Sequence, residues 1–548
     1  MKKILFLHVL GAALICGACS GALAADTTIT ITKRYLNLPV SHQQQRSFMS
    51  YGVDGKEAQR FLIRLSSQPE YWVFSDVSAY RGKKMKISYE GSGEGLRHLY
   101  QADRIAGQDS LYREQRRPQF HFSTRRGWIN DPNGMVFYEG EYHLFYQHNP
   151  FERDWGNMSW GHAVSKDLVH WEELPVALHP DNTGTMFSGS AVIDYNNTAG
   201  FNKPGKPAMI ALYTADTPDK QVQCLAYSLD KGRTWTKYSG NPVIDSKARW
   251  NNRNTRDPKV FWYDAGKHWV MVLNERDGHS VYTSHNLRNW TYESHVTGFW
   301  ECPELFELPV DGNPAQKKWV MYGASNTYMI GSFNGKTFVP ENGKYYFTAG
   351  AIYAAQTFSN MPSADGRRIQ MGWGRIPQRG MPFNNMLLLP TELTLRKTKD
   401  GIRLFSIPVK ETEQLFTPAG KWQGLTHEEA NQRLAAFSDK DRMRIRTTIR
   451  LTEATDAGLN LYEQRIVNYS LNYNMLNGMF YSPQDPTSME LTADIYIDRT
   501  SVEIFFDGGA FSYYVERLGK SGSKEGFKFW GDGIEVKSLE VFEVKSIW

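Results

Sequence analysis

Four segments between residues 165 and 338 repeat one device, and an internal repeat constrains a fold more than any single motif does. Ser165–Trp171, Ser228–Trp235 and Ser284–Trp290 each read as a strand end, a polar turn and a Trp-led strand, and Ser332–Phe338 is a fainter copy with Phe in the Trp position. Their starts lie 63, 56 and 48 residues apart, close to one four-stranded sheet per copy. Residues 118–415 are therefore expected to form about five blades of a β-propeller. In this reading the repeated Trp residues pack blades and do not contact a ligand.

The flanks read differently. Thr27 to Thr32 alternates Thr and Ile with the period of a strand, and β-like runs follow at Phe61 to Leu65, Tyr71 to Phe74 and Met85 to Tyr89. Residues 26–112 are expected to form an N-terminal β-sandwich, with Arg104 to Arg117 as a polar linker. Alternating strands at Arg442 to Leu451, Met489 to Ile497 and Val502 to Phe506, with a hairpin turn at Asp507-Gly508-Gly509, predict a C-terminal β-sandwich over 417–548. Helical periodicity is confined to a short stretch near Glu428 to Leu434. The fold class is thus all-β throughout, in three domains preceded by a leader.

That leader is residues 1–24, where Lys2 and Lys3 precede an apolar run from Ile4 to Ile15 that is too short to span a bilayer. It reads as a signal peptide cleaved after Ala22-Leu23-Ala24, so the protein is expected to be exported, with a periplasmic location favoured. Gly17-Ala18-Cys19-Ser20 resembles a lipobox, although Cys16 replaces its usual Leu; lipidation at Cys19 would place the protein on the outer membrane and is the only membrane contact expected. Without the leader the net charge falls from +5 to +3, which points to no nucleic acid or other polyanionic partner. Cys224 and Cys302 then remain, expected as two buried thiols, and the Cys and His spacings form no metal motif. Aromatic residues make up 14% of the chain, which suits strands and sugar stacking alike.

Three segments carry candidate chemistry. In Trp128-Ile129-Asn130-Asp131-Pro132-Asn133-Gly134, Pro132 biases Asp131 toward extended backbone and Asn133-Gly134 turns the chain, placing a carboxylate at a strand end. The same residues are also good turn chemistry. Arg256-Asp257-Pro258 repeats the carboxylate before proline, with Arg256 placed to hold Asp257 ionised; its rival reading is a surface salt bridge. In Trp300-Glu301-Cys302-Pro303-Glu304, apolar neighbours around Glu301 would suit it to act as a general acid.

Together these segments resemble glycoside hydrolase family 32, the invertase, levanase and inulinase family, along residues 118–548. Supporting matches are Tyr146-Gln147, Trp160-Gly161-His162, Phe187-Ser188-Gly189, Tyr353, Gly372-Trp373 and Asp498–Phe505. The resemblance implies a five-bladed propeller followed by a β-sandwich, with Asp131 as nucleophile, Asp257 as transition-state stabiliser and Glu301 as acid/base. It also implies that Asn130, Gln147, Trp155, Phe187, Ser188, Arg256, Tyr353 and Trp373 wall the fructosyl subsite. The implied activity is retaining β-fructosidase hydrolysis of a fructan or fructooligosaccharide, levan or inulin, and of sucrose, with no cofactor and no metal. A funnel walled by Asn130, Trp155, Phe187 and Trp373 favours exo action. A transfructosylase on the same site and a non-catalytic fructan-binding protein stand as alternatives; the extra N-terminal domain resembles an addition seen in some gut-bacterial fructanases. Tyr71 and Trp72 there are expected in its core, not on a sugar.

Overall fold

The computed structural model describes residues 25–548 except 453–455, 482–488, 519–525 and 532. The leader, with Cys16 and Cys19, lies outside the described residues. The fold is almost entirely β. Among the described residues α-helix is confined to Lys247–Trp250 and His427–Ala435. The second of these is the anticipated stretch, closed by a capping box in which Thr426 and Glu429 satisfy each other's backbone N–H groups.

The four repeats form the same turn. The first three serines end a strand and Ser332 is the last residue but one of its own, and the aromatic residue opens or immediately precedes the next strand: Ser159–Ser165 and Trp171–Leu178, Gln221–Ser228 and Thr236–Lys237, Gly278–Ser284 and Thr291–Thr297, Thr327–Phe333 and Phe338–Pro340. The Asp or Asn two residues after the serine accepts backbone N–H groups ahead of it. Asp167 takes those of Val169 and His170 (3.0 and 2.8 Å), Asp230 that of Thr234 (2.9 Å), Asn286 those of Arg288 and Asn289 (3.0 and 2.9 Å) and Asn334 those of Lys336 and Thr337 (3.0 and 2.8 Å). This is Asx-turn chemistry. It drives Leu168, Gly232, Leu287 and Gly335 into left-handed backbone, φ +64°, +73°, +60° and +91°. The carbonyls of the first three accept the indole N–H of Trp171, Trp235 and Trp290 at 3.0–3.1 Å. The repeated Trp is therefore a turn lock, which the Phe of the fourth copy cannot reproduce.

These hairpins build three sheets in succession: Gly127–Tyr138 to Trp171–Leu178, Thr185–Asp194 to Thr236–Lys237, and Thr255–Tyr263 to Thr291–Thr297. From Glu304 to Pro408 the strands do not divide into two further separate sheets. They join as one ten-stranded sheet, because Val310 pairs in parallel with Leu395 and ties Glu304–Val310 to Thr391–Thr398. Apolar cores link neighbours in sequence: first sheet to second, second to third, third to the ten-stranded sheet, and that sheet back to the first through Ile369, Met371 and Leu387 against Leu144 and Ala163. Phe383–Asn384 also pairs in parallel with Gly127–Trp128, stitching late chain to early.

Before this region, a four-stranded sheet (Ala25–Thr30, Lys84–Tyr89, Ser47–Val53, Lys56–Ile63) and a three-stranded one (Tyr71–Asp76, Tyr35–Val40, Tyr100–Ala102) share a single buried core. Tyr71 belongs to that core, and Trp72 packs edge-on against Tyr100. After it, a seven-stranded and a five-stranded sheet share another, with Asp507-Gly508-Gly509 turning Ser501–Phe506 into Phe511–Glu516 through three left-handed residues. The seven-stranded sheet borrows Thr348–Gly350 from the middle of the chain, so the two regions are continuous in hydrogen bonding.

Their seam is polar. His121 Nδ1 meets Asp498 at 2.8 Å and Nε2 meets Glu503 at 2.7 Å, with all three side chains fully buried. Asp498 also accepts the backbone N–H groups of Gln119 and Phe120, and Glu503 that of Leu389. Burial alone would strip the proton from His121, but the two carboxylates outweigh it and raise its pKa to about 9. The Asp498–Phe505 segment thus joins sheets, far along the chain from the residues it holds.

Candidate active site

A cavity of about 370 Å³ opens among Asn130, Asp131, Gln147, Trp155, Phe187, Ser188, Gln221, Arg253, Asn254, Arg256, Asp257, Glu301, Tyr353 and Trp373. All three carboxylates and all eight subsite residues anticipated from sequence meet there. Gln221, Arg253 and Asn254 were not anticipated; the run that precedes Arg256 has no spacing that distinguishes it from a polar loop.

Backbone irregularity brings these side chains together. In an antiparallel ladder side chains alternate between faces, and an extra residue re-aims its neighbours. The ladders bulge between Ile129 and Pro132, Phe187 and Gly189, Arg256 and Lys259, and Tyr353 and Gln356. Each bulge holds or borders cavity residues: Asn130 and Asp131, Phe187 and Ser188, Arg256 and Asp257, Tyr353. Asp131 therefore lies inside the strand Gly127–Tyr138 and not at a strand end, and Asn133-Gly134 continues that strand instead of turning it, with Gly134 at φ +50°. Asp257 and Glu301 are themselves left-handed, φ +64° and +50°, a strain typical of functional positions. Gly161 is required for a different reason. A Cβ there would lie 2.1 Å from the Tyr146 ring, which is buried in the core that joins the first and ten-stranded sheets.

Around Asp131, Asn130 Nδ2 donates to Oδ1 at 3.0 Å and Ser188 Oγ to Oδ2 at 2.7 Å. Asp257 receives the backbone N–H of Cys302 at 3.1 Å, while its own N–H donates to Thr214 Oγ1 at 3.0 Å. The Cys302 thiol sits between the two aspartates, 3.6 Å from Asp131 and 3.7 Å from Asp257. Burial and the surrounding carboxylates raise its pKa far above the usual range, so it remains a protonated donor. It and Cys224 are separate buried thiols.

Glu301 is held by three contacts. Its backbone N–H donates to Asn274 Oδ1 at 2.8 Å, Tyr353 OH donates to Oε2 at 2.5 Å, and the Arg256 guanidinium donates to Oε1 through Nε and Nη2. Two expectations change here. The carboxyl faces a guanidinium and a phenol, not apolar groups, because Trp300 is turned toward solvent with Arg256 over its ring. Arg256 is committed to Glu301 and stands 3.9 Å from Asp257. Asp257 is only 4% exposed, which excludes a surface salt bridge. Burial, with Glu301 and Asp131 adding to it, raises its pKa to about 7 against the pull of Arg256, and burial also raises that of Asp131. Glu304, three residues past Glu301, points away to a buried pair with Lys259 at 2.7 Å.

Aromatic rings line the rest. Trp373 meets Trp128 and Tyr353 edge-on, with ring centroids 5.9 and 6.2 Å away, and its indole N–H has no protein partner. Trp155 stands edge-on to Phe187 and is 54% exposed at the mouth. Carboxylates, aromatic faces and amide donors gathered in one cavity are groups suited to an uncharged, hydroxyl-rich ligand and to acid–base and nucleophilic chemistry.

Comparison with known proteins agrees. The model of the glycosyl hydrolases family 32 N-terminal domain matches residues 121–408. A levanase of Bacillus subtilis is 40% identical over 496 residues, covering 81% of this chain and 72% of that protein. An extracellular exo-inulinase of Aspergillus niger is 34% identical over 519 residues, covering 80% and 96%. Among solved structures, an exo-inulinase from Aspergillus awamori superposes with a TM-score of 0.68 at 28% identity over 80% of this chain and all of that one. A fructofuranosidase from Schwanniomyces occidentalis complexed with fructosylnystose gives 0.68 at 26% identity, covering 78% and 98%.

Proposed function

Because this chain belongs to glycoside hydrolase family 32, and is on that ground a glycoside hydrolase, we propose that it hydrolyses fructans at β-fructosidic bonds with retention, releasing fructose from chain ends. One observation carries the reading: Asp131, Asp257 and Glu301 come from segments far apart in sequence and line a single cavity.

In the proposed reaction Asp131 attacks the anomeric carbon while Glu301 protonates the leaving oxygen, giving a covalent fructosyl-enzyme; water then attacks with Glu301 as base. Ser188 and Asn130 orient the nucleophile, and Tyr353 and Arg256 orient the acid. Asp257 accepts ring hydroxyls and stabilises the oxocarbenium-like charge without exchanging protons with the substrate.

Exo action is supported by a small cavity whose aromatic rings surround the carboxylates. Levan, inulin and sucrose all remain within its chemistry. Neither a transfructosylase nor a non-catalytic binder is favoured by relatives that are a levanase and an exo-inulinase. The same reading assigns residues 118–415 to a five-bladed propeller, residues 26–112 and 417–548 to β-sandwiches, and residues 1–24 to an export signal. The ring of apolar cores, the paired sheets sharing one core at each flank, and an extracellular relative support it.

An early time course on levan and inulin, with anomers followed by NMR, tests the proposal. Fructose as first product, initially in its retained anomeric form, is the expected result; an initial ladder of oligosaccharides refutes exo action, and initial inversion refutes the double displacement.

A further inference from the structure

The geometry points to a positioning role for the two N-terminal sheets: through Arg46 and Arg64 they hold the segment 149–157 so that Trp155 forms one wall of the cavity mouth. This rests on the proposed function and adds that substrate binding at the mouth depends on a region outside the catalytic cavity.

Segment 149–157 links Glu141–Asn149 to Ser159–Ser165 and is tied to the N-terminal sheets along most of its length. Phe151 stacks on Phe61 with ring centroids 3.6 Å apart and belongs to the core of those sheets. Glu152, fully buried, meets Arg64 Nη1 at 3.0 Å and also pairs with Arg46. Asp154 meets Arg64 Nη1 at 2.9 Å and His42 Nε2 at 3.1 Å. Asn157 mimics a strand partner, exchanging two 2.8 Å hydrogen bonds with the Leu62 backbone. Between these anchors lies Trp155, whose carbonyl accepts from Arg46 Nη1 at 3.4 Å.

Trp155 itself has few restraints. Its ring is half exposed and touches Phe187 edge-on. Gly156 and Asn157 after it adopt φ +147° and +47°, a local conformation that the anchors on either side sustain. A half-exposed aromatic ring stacks well on a sugar only if its backbone is already placed. Arg46 touches no cavity residue with its side chain except through that carbonyl, so its effect on binding must run through Trp155.

The test compares steady-state kinetics on a short fructooligosaccharide and on fructan for the wild type, Arg46→Ala, Trp155→Ala and the double variant. Arg46→Ala leaves Arg64 on Glu152 and should fold. The expected result is a KM raised roughly 3- to 10-fold, the equivalent of one aromatic contact, with kcat within about twofold. In the Trp155→Ala background Arg46→Ala should add nothing, because the pair acts as one unit. Arg46→Lys, which keeps a donor for the carbonyl, should restore part of the KM. Unchanged KM in folded Arg46→Ala, or a full effect persisting without Trp155, overturns the inference while leaving the hydrolase reading intact. A wild type that releases no fructose overturns the reading it rests on. Should Arg46→Ala not fold, Arg64→Ala carries the same comparison.

Discussion

The cavity and the seam at His121 both take acidic side chains out of water, with opposite outcomes. At the seam Asp498 and Glu503 flank one imidazole, and both carboxylates accept backbone N–H groups in addition. The result is a fixed charge: His121 is raised to about 9 and Asp498 is lowered. In the cavity Arg253 is paired with Asp216, the Arg256 guanidinium is spent on Glu301, and Asp257 rises to about 7. The difference is in pairing, not in depth. The seam balances its carboxylates with an imidazolium, whereas the cavity leaves Asp257 with a backbone N–H and no countercharge of its own, an arrangement common at functional sites.

The largest test of this contrast is activity. Asp131→Ala should lower the rate of fructose release by roughly 10⁴-fold or more with an unchanged circular dichroism spectrum. Glu301→Ala should lose about 10²- to 10⁴-fold and recover substantially on a fructoside whose leaving group needs no acid. Full activity of either variant on fructan would break the contrast at its centre.

At the seam the same kind of truncation should affect stability instead. His121→Ala leaves two buried carboxylates without their countercharge and should destabilise the protein by about 3–5 kcal/mol, with activity per folded molecule preserved. The pH dependence has a definite sign. A histidine raised from 6.5 to about 9 contributes stability that is fully present below pH 6.5 and is lost as pH rises through about 9. Melting temperatures from pH 6 to 10 should fall in the wild type and flatten in His121→Gln over that window.

Asp257→Asn should do the reverse of a seam mutation. The folded chain holds a proton on Asp257 between its usual pKa of 3.8 and about 7, so stability declines as pH rises across that window. Removing the charge should raise stability at pH 8 by about 0.5–2 kcal/mol while hydrolysis collapses. A destabilised variant would show that the carboxylate is better satisfied than its surroundings suggest. The smallest effect belongs to an uncharged control. Trp290→Phe removes the indole bond to the Leu287 carbonyl and should lower unfolding free energy by about 1 kcal/mol, equally at every pH.

Much of this was legible because it is local. The repeats carry their polar turns within seven or eight residues, so their positions were readable, whereas the indole bond by which each Trp locks its turn was not; the sequence offered the Trp only as packing between blades. The helix at His427–Ala435 likewise carries its own cap. The family motifs named the site because Asp131, Asp257 and Glu301 each sit in a short distinctive segment. Thr214 and Asn274, which orient Asp257 and Glu301, left no such trace. Each lies within an ordinary strand and acquires its role only from the neighbour placed beside it. Arg253 and Asn254 are equally silent.

Sequence alone determined that the chain is built of strands, where the repeated turns fall and which three acids would meet in one cavity, since these depend on backbone propensity and short motifs. It misplaced what depends on partners. Asp131 was expected at a strand end and Arg256 beside Asp257, because proline and adjacency are visible in one dimension. A bulge that keeps Asp131 inside its strand, and a guanidinium that turns from its neighbour Asp257 to Glu301, 45 residues away, are settled only when strands pair and charges must share one cavity. Electrostatic partnership acts through space and is decided by the lowest desolvation cost among competing neighbours. The sheets had to assemble before that competition could have an outcome.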